Sequence, residues 1–174
     1  RIEKMAAAHG LGDFKWIQPR SIVLGEWVRM KCLYGCPGYG SRKTCPPFVP
    51  SVAECRDFFG EYRAGILFHF GVKFENPDMR HAWSNEVNKR MLEFEREVFL
   101  SGFQKAFLFP QAPCRLCGEC SGTDKECRQP SKSRPTLEAF GVDVYTTARI
   151  AGFPIQVVKD YNEEINRYGL LLLE

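Results

Sequence analysis

Nowhere does the chain run to the roughly 20 apolar residues that a bilayer-crossing helix needs. Its apolar tail, Leu170 to Leu173, is far shorter, so no membrane span is expected. No signal-peptide pattern opens the sequence at Arg1, and the expected compartment is the cytoplasm. The net charge is only +3, too small to imply a nucleic-acid surface. Histidine is scarce, at 3 residues: His9 falls in a surface helix, His69 inside an apolar strand and His81 near a helix start, and each reads as a structural position rather than a ligand. No catalytic triad, phosphate loop, dinucleotide fingerprint or internal repeat is present.

Cysteine, by contrast, is abundant, with 8 residues in 174. A chain of this length buries a sizeable core without covalent staples, and one domain over residues 1–174 is expected. The cysteines therefore argue for chemistry, and their clustering argues for metal. Cys114, Cys117, Cys120 and Cys127 fall within the stretch PCRLCGECSGTDKECRQP, the first three at strict two-residue gaps. A Cys-x2-Cys-x2-Cys run curls so that three thiolates converge on one inorganic core, and a more distant cysteine closes the site. Gly118 and Gly122 are expected to loosen the loop, and Pro130 follows the last cysteine after Arg128 and Gln129. A 4Fe-4S cluster is the expected occupant. Zinc accepts the same four thiolates, although its structural sites usually pair two separated Cys-x2-Cys units. Disulfides suit this spacing least, because a bridge needs a fixed Cα separation.

A second group lies in CLYGCPGYGSRKTCPPFVP, where Cys32, Cys36 and Cys45 sit among glycines and prolines. Regular structure is not expected across residues 32–50, and a Gly-opened, Pro-pinned loop holds thiolates in place without a helix or strand. Reduced structural cysteines are the alternative there. Cys55 differs. Ser51 and Glu54 form a capping-box pattern that starts a helix, and Val52, Cys55 and Phe59 then share one face, so Cys55 reads as a buried apolar residue.

Arg29, Lys31, Arg42 and Lys43 lie between residues 29 and 45 with no acid among them, a local charge of +4. Such a patch suits a small anion, an acidic partner protein or the negative charge of a cluster, or it is simply a solvated loop surface. Tyr39, Arg42 and Lys43 are the candidate anion-binding residues. Arg115, Lys125 and Arg128 stand beside the other cysteine run, where they would favour a reduced, more negative core.

The remaining chain reads as a helix over 2–9, a loop to Pro19, a strand over 21–31 and the capped helix over 51–62. A strand over 64–74, a turn at Asn76-Pro77-Asp78 and a long helix to about Ser101 follow. On that helix Val87, Met91, Phe94 and Val98 form the apolar stripe, and Glu86, Lys89, Arg90, Glu93, Glu95, Arg96 and Glu97 form a solvated face. Gly102 stops it before a strand over 104–109. Short helices follow at 136–140 and from the Asp143 cap to Ala151, and YGLLLLE closes the chain as a buried strand. Strand, helix, strand in succession predicts a right-handed crossover. The expected fold is α/β: a small mixed or partly parallel sheet with flanking helices and both cysteine-rich loops at one end.

The segments CLYGCPGYGSRKTCPP, PCRLCGEC followed by CRQP, SRPTLEAFGVDV and YGLLLLE together resemble a family of predicted metal-binding proteins of unknown function found mainly in anaerobic bacteria and archaea. The resemblance runs from about Arg29 onwards. It implies metal binding through Cys32, Cys36, Cys45, Cys114, Cys117, Cys120 and Cys127, and Cys55 is not one of its signature positions.

One or two 4Fe-4S clusters follow, and with them three functional readings. Two closed clusters with a redox partner protein would pass electrons. A three-thiolate site with an open iron would act as a Lewis acid on a small anionic substrate held by Arg42 and Lys43. A single structural site would stabilise an assembly subunit or a sensor. No nucleic acid is expected as a partner.

Overall fold

The computed structural model describes residues 1–121, 126–160 and 162–174. Gly122 and Lys125 of the second cysteine segment lie outside the described residues.

Helix α1 (Ile2–Ala8) leads into strand β1 (Phe14–Ile17), followed by helices α2 (Glu26–Gly35) and α3 (Val52–Gly60). Strand β2 (Ala64–Val72), the long helix α4 (Arg80–Leu100), strand β3 (Phe107–Phe109), helix α5 (Val144–Ile150) and strand β4 (Ile165–Leu173) complete the described order. The sheet runs β1-β2-β4-β3, and every pairing in it is antiparallel. The expected parallel pairing is thus corrected. β2 and β3 do point the same way, with α4 crossing between them, but β4 inserts between the two and runs against both. A local strand-helix-strand rule has no knowledge of a strand that arrives from the far end of the chain.

Both faces of the sheet are covered. Ile66, Phe68, Leu108, Leu171 and Leu173 face α1 and α4 through Ile2, Ala6, Val87, Met91, Phe94 and Val98. The alternate residues Leu67, Phe109, Tyr168, Leu170 and Leu172 face α3 and α5 through Cys55, Phe59 and Ala148. This double burial is why Gly169 to Leu173 reads as an unbroken apolar run rather than an alternating one. Gly169 is required for space: a Cβ there would stand 2.3 Å from Met91 Cε, so the glycine lets α4 settle onto the central strand.

Three further expectations are corrected. Residues 21–31 do not form a strand: α2 begins at Glu26 and extends to Gly35, so Cys32 sits on a helix rather than in an irregular loop. A single buried residue, Val28, faces the core from α2, too weak an apolar pattern to announce a helix. The segment before Pro19 holds β1, an edge strand paired from Phe14 opposite Phe68 to Ile17 opposite Gly65. Glu95 does not lie on a solvated face but is 5% exposed. Elsewhere the capping box closes as expected, with Ser51 Oγ accepting from Glu54 N–H at 3.3 Å and Glu54 Oε2 accepting from Ser51 N–H at 2.8 Å. Gly141, at φ +79, ends the turn Glu138–Phe140. Asp143 then caps α5 through Thr146 N–H at 3.0 Å.

His69 is a satisfied core histidine, bracketed by Asp13 Oδ2 at 2.6 Å and Asn166 Oδ1 at 2.7 Å and stacked on Tyr168. Burial, with the Asp13 charge assisting, pushes the Tyr168 phenol up to about 12, and its hydroxyl donates to Pro154 O. A phenol held neutral in the fold contributes stability that is complete below its unfolded pKa near 10 and is lost as pH rises through 12. Urea midpoints of the wild type should therefore fall faster than those of Tyr168→Phe across that window. Parallel curves for the two proteins would refute the coupling.

Candidate metal centre

β3 delivers the second cysteine segment. From Phe109 the chain passes through Pro110 to Ala112, and this short approach is fixed by a polar network on the first half of α4. Asn88 Nδ2 donates to Ala112 O at 2.9 Å, and Gln111 Nε2 donates to Ser84 O and to Asn88 Oδ1, each at 3.1 Å. Arg167, from β4, donates to Ser84 Oγ at 2.6 Å and to Gln111 Oε1 at 3.3 Å. Ser84, Asn88 and Gln111 are all buried, so each donor and acceptor placed here fixes the backbone just ahead of Cys114.

From Cys114 to Cys127 the described chain has neither helix nor strand, as its glycines, prolines and cysteines predict. The two arms of the segment are tied across. Arg128 Nη2 donates to Glu119 O at 2.9 Å, and Gln129 Nε2 donates to Leu116 O at 3.0 Å while standing 3.6 Å from Cys117 Sγ. Gly118 has open space where a Cβ would be, so side-chain crowding does not require a glycine there. Cys114, Cys117, Cys120 and Cys127 together line one cavity of about 490 Å³, with Arg42, Arg115, Arg128 and Gln129 in its wall.

The first cysteine segment reaches this cavity through Ser41 and Arg42. Arg42 Nε donates to Cys114 O at 3.0 Å and its Nη1 to Ser41 Oγ at 3.0 Å, which joins the two cysteine-bearing segments directly. Cys32 on α2, Cys36 at its C-terminal cap and Cys45 beyond it are close enough to act on one another's ionisation. Of the candidate anion-binding residues, Arg42 is in the cavity wall, whereas Tyr39 and Lys43 stand outside it and Lys43 lies 5.1 Å over the Phe48 ring. Cys55 is fully buried with Phe59 and Leu137, its thiol 3.6 Å from Pro50 O.

Burial raises the thiol of Cys114, the neighbouring Cys127, Cys117 and Cys120 add to the rise, and the Leu116 N–H bonded to its sulfur opposes it. Burial likewise raises Cys32, joined by the charges of Cys36 and Glu138, with Arg29 opposing. At Cys45 burial is again the leading cause, countered chiefly by the charge and hydrogen bond of Arg42. These sites favour protonated thiols, so a metal must displace protons to bind. The positive field to help it is present. His81 is held low by loss of solvent and then by Arg115, Arg80, Arg167 and Arg42, which marks an arginine-rich neighbourhood next to the four-thiol cavity.

Among the described residues, no three His, Cys, Asp or Glu side chains stand together as ligands of one metal ion. The four thiols line one open cavity of about 490 Å³. The donor set is all thiol and soft, bordered by arginines and by N–H groups aimed at sulfur, a chemistry that fits a thiolate-held metal centre.

The residues that sequence reasoning missed are those that fix the segment: Ser84, Asn88, Gln111, Arg167 and Gln129. A signal for two of them was present. Ser84 and Asn88 occupy stripe positions of α4 alongside Val87 and Met91, and a polar residue on a buried stripe needs a partner. No described helix is long and apolar enough to cross a membrane.

A family model described as "Predicted metal-binding protein (DUF2284)" matches residues 15–173. No curated protein and no solved structure matches the chain.

Proposed function

From a chain that belongs to the DUF2284 family of predicted metal-binding proteins, we propose an iron-sulfur protein that passes electrons. In this reading Cys114, Cys117, Cys120 and Cys127 hold a 4Fe-4S core, and Cys32, Cys36 and Cys45 form a second thiol site joined to the first through Arg42. The observation that carries the reading is four thiols, at Cys-x2-Cys-x2-Cys spacing with a fourth beyond, around a single cavity. When bound, such a core supplies one-electron chemistry. The chain's own residues set its surroundings: Gln129 and Leu116 N–H donate towards sulfur, and Arg42, Arg115 and Arg128 offset the negative charge of the thiolates. An electron carrier of this kind needs a redox partner protein.

The test is iron and acid-labile sulfide per chain, with EPR of the reduced sample, on protein purified without oxygen. Two clusters give about eight irons and a coupled signal, and one cluster gives about four. Zinc without sulfide would sink the redox reading.

A second reading has one specific support. Cys32, Cys36 and Cys45 act on one another while Cys55 is sealed in the core, so the first group offers three thiols rather than four. A core held by three thiols keeps a position open, and Arg42 stands beside it to receive a small anion. Added phosphate or carboxylate would shift the EPR signal of an open core and leave a closed one unchanged.

A further inference from the structure

Arg29 stands on α2 three residues before Cys32, and that spacing sets both side chains on one face of the helix, where each is half-buried. Its guanidinium is tied at one corner: Nη2 donates to Pro50 O, which also accepts from the Cys55 thiol at 3.6 Å. Nε is different. It is shut away from solvent and has no hydrogen-bond partner among the described residues. A buried donor left unpaired is rare in a native fold, because burial strips away its water and nothing replaces it.

Charge narrows what the missing acceptor is. A guanidinium keeps its proton at every physiological pH, yet among the described residues no carboxylate forms an ion pair with Arg29. What lies around it is sulfur. Burial raises the thiols of Cys32 and Cys55; the charge of Arg29 opposes both rises, and at Cys55 a hydrogen bond from it adds to the opposition. A protonated thiol is a weak acceptor without a countercharge, whereas a thiolate is an anion and a strong acceptor. Thiolates form here when a metal displaces the thiol protons, which pass to solvent. Cys55 is sealed in the apolar core, so the sulfur open to that change is the one on Cys32.

We infer that Arg29 is a positioning residue of the site formed by Cys32, Cys36 and Cys45, donating from Nε to the Cys32 thiolate of the metal-loaded protein while Nη2 holds Pro50 just ahead of α3. The inference rests on the reading of these three thiols as a metal site, and not on electron transfer. Donors of this kind orient a ligand and stabilise its charged form, so their loss weakens metal retention without removing a ligand.

The test is the rate at which protein purified without oxygen yields metal to an excess of EDTA, with metal counted per chain and urea midpoints taken on the same samples. The phase of release that Cys36→Ser abolishes belongs to the three-thiol site. Arg29→Met keeps much of the side chain's length but has no donor, and should speed that phase about ten- to a hundredfold while leaving the metal of the Cys114 segment as in the wild type. Arg29→Lys retains a charged donor and should recover part of the loss. Ser51→Ala is the structural control: it removes the α3 cap beside Pro50, and should lower the urea midpoint without changing the release of metal.

Metal held as firmly by Arg29→Met as by the wild type, release equally fast from Ser51→Ala, or an effect that Cys55→Ala reproduces would each overturn the inference. If Cys36→Ser removes no metal, the three-thiol site itself is refuted and the role of Arg29 falls with it. If Cys36→Ser removes metal that Arg29→Met does not loosen, this inference alone fails.

Discussion

Cys117→Ser, purified without oxygen, is expected to lose about four irons and about four sulfides per chain relative to the wild type. Its thiol lines the cavity with Cys114, Cys120 and Cys127 and accepts from Gln129 Nε2 at 3.6 Å, and a serine oxygen in its place can still accept there but is no longer a soft ligand. Cys36→Ser should remove the other set, if a second core is present, and leave the first intact. Cys55→Ala is the control: its side chain is wholly buried in the core, and its replacement should change stability by about 1 kcal/mol while leaving metal content as it was. Metal analysis and EPR on the three variants read the result. Iron lost equally from Cys55→Ala and Cys117→Ser would mean that the assignment of ligands is wrong.

Glu95→Ala should be the most destabilising single change outside the apolar core, by about 3–5 kcal/mol. The carboxylate is 5% exposed and takes two charged or backbone donors on one oxygen, Leu108 N–H at 2.9 Å and Arg134 Nε at 2.9 Å. β3 is an edge strand with β4 as its pairing partner, so Glu95 satisfies a strand N–H that the sheet does not. Arg134 follows the second cysteine segment, and the same carboxylate therefore pins the exit of that segment to α4. Alanine leaves a buried N–H and a half-buried guanidinium without their acceptor. Glu95→Gln keeps an acceptor for Leu108 and should cost less. Urea midpoints at constant slope measure both, and a Glu95→Ala protein within about 0.5 kcal/mol of the wild type, as for an ordinary surface position, would show the pair to be dispensable.

Glu95 also shows how far the sequence can be read. Its neighbours Glu93, Arg96 and Glu97 are charged, and by charge alone Glu95 belongs with them. By helical period it belongs with Ser84, Val87, Asn88, Met91, Phe94 and Val98, the stripe that is in fact buried. Periodicity therefore held the correct assignment and polarity concealed it, because a buried carboxylate is tolerated only where Arg134 and Leu108 supply donors, and both come from distant positions.

The sequence by itself determined what is local. The capping box at Ser51, the stops at Gly102 and Gly141, the Asp143 cap, the long helix and the buried closing strand follow from interactions within a few residues, and all are found. Cysteine abundance and clustering likewise pointed to metal binding, in agreement with the family to which the chain belongs. Only the tertiary structure decided what depends on distant partners. β4 enters between β2 and β3 and makes every pairing antiparallel, α2 forms a helix where β-branched residues suggested a strand, and Arg42 reaches Cys114 to join two segments that lie far apart in the chain. Strand neighbours, buried polar networks and contacts between loops are fixed by which surfaces meet when the chain closes on itself, and spacing along a sequence carries no term for that meeting.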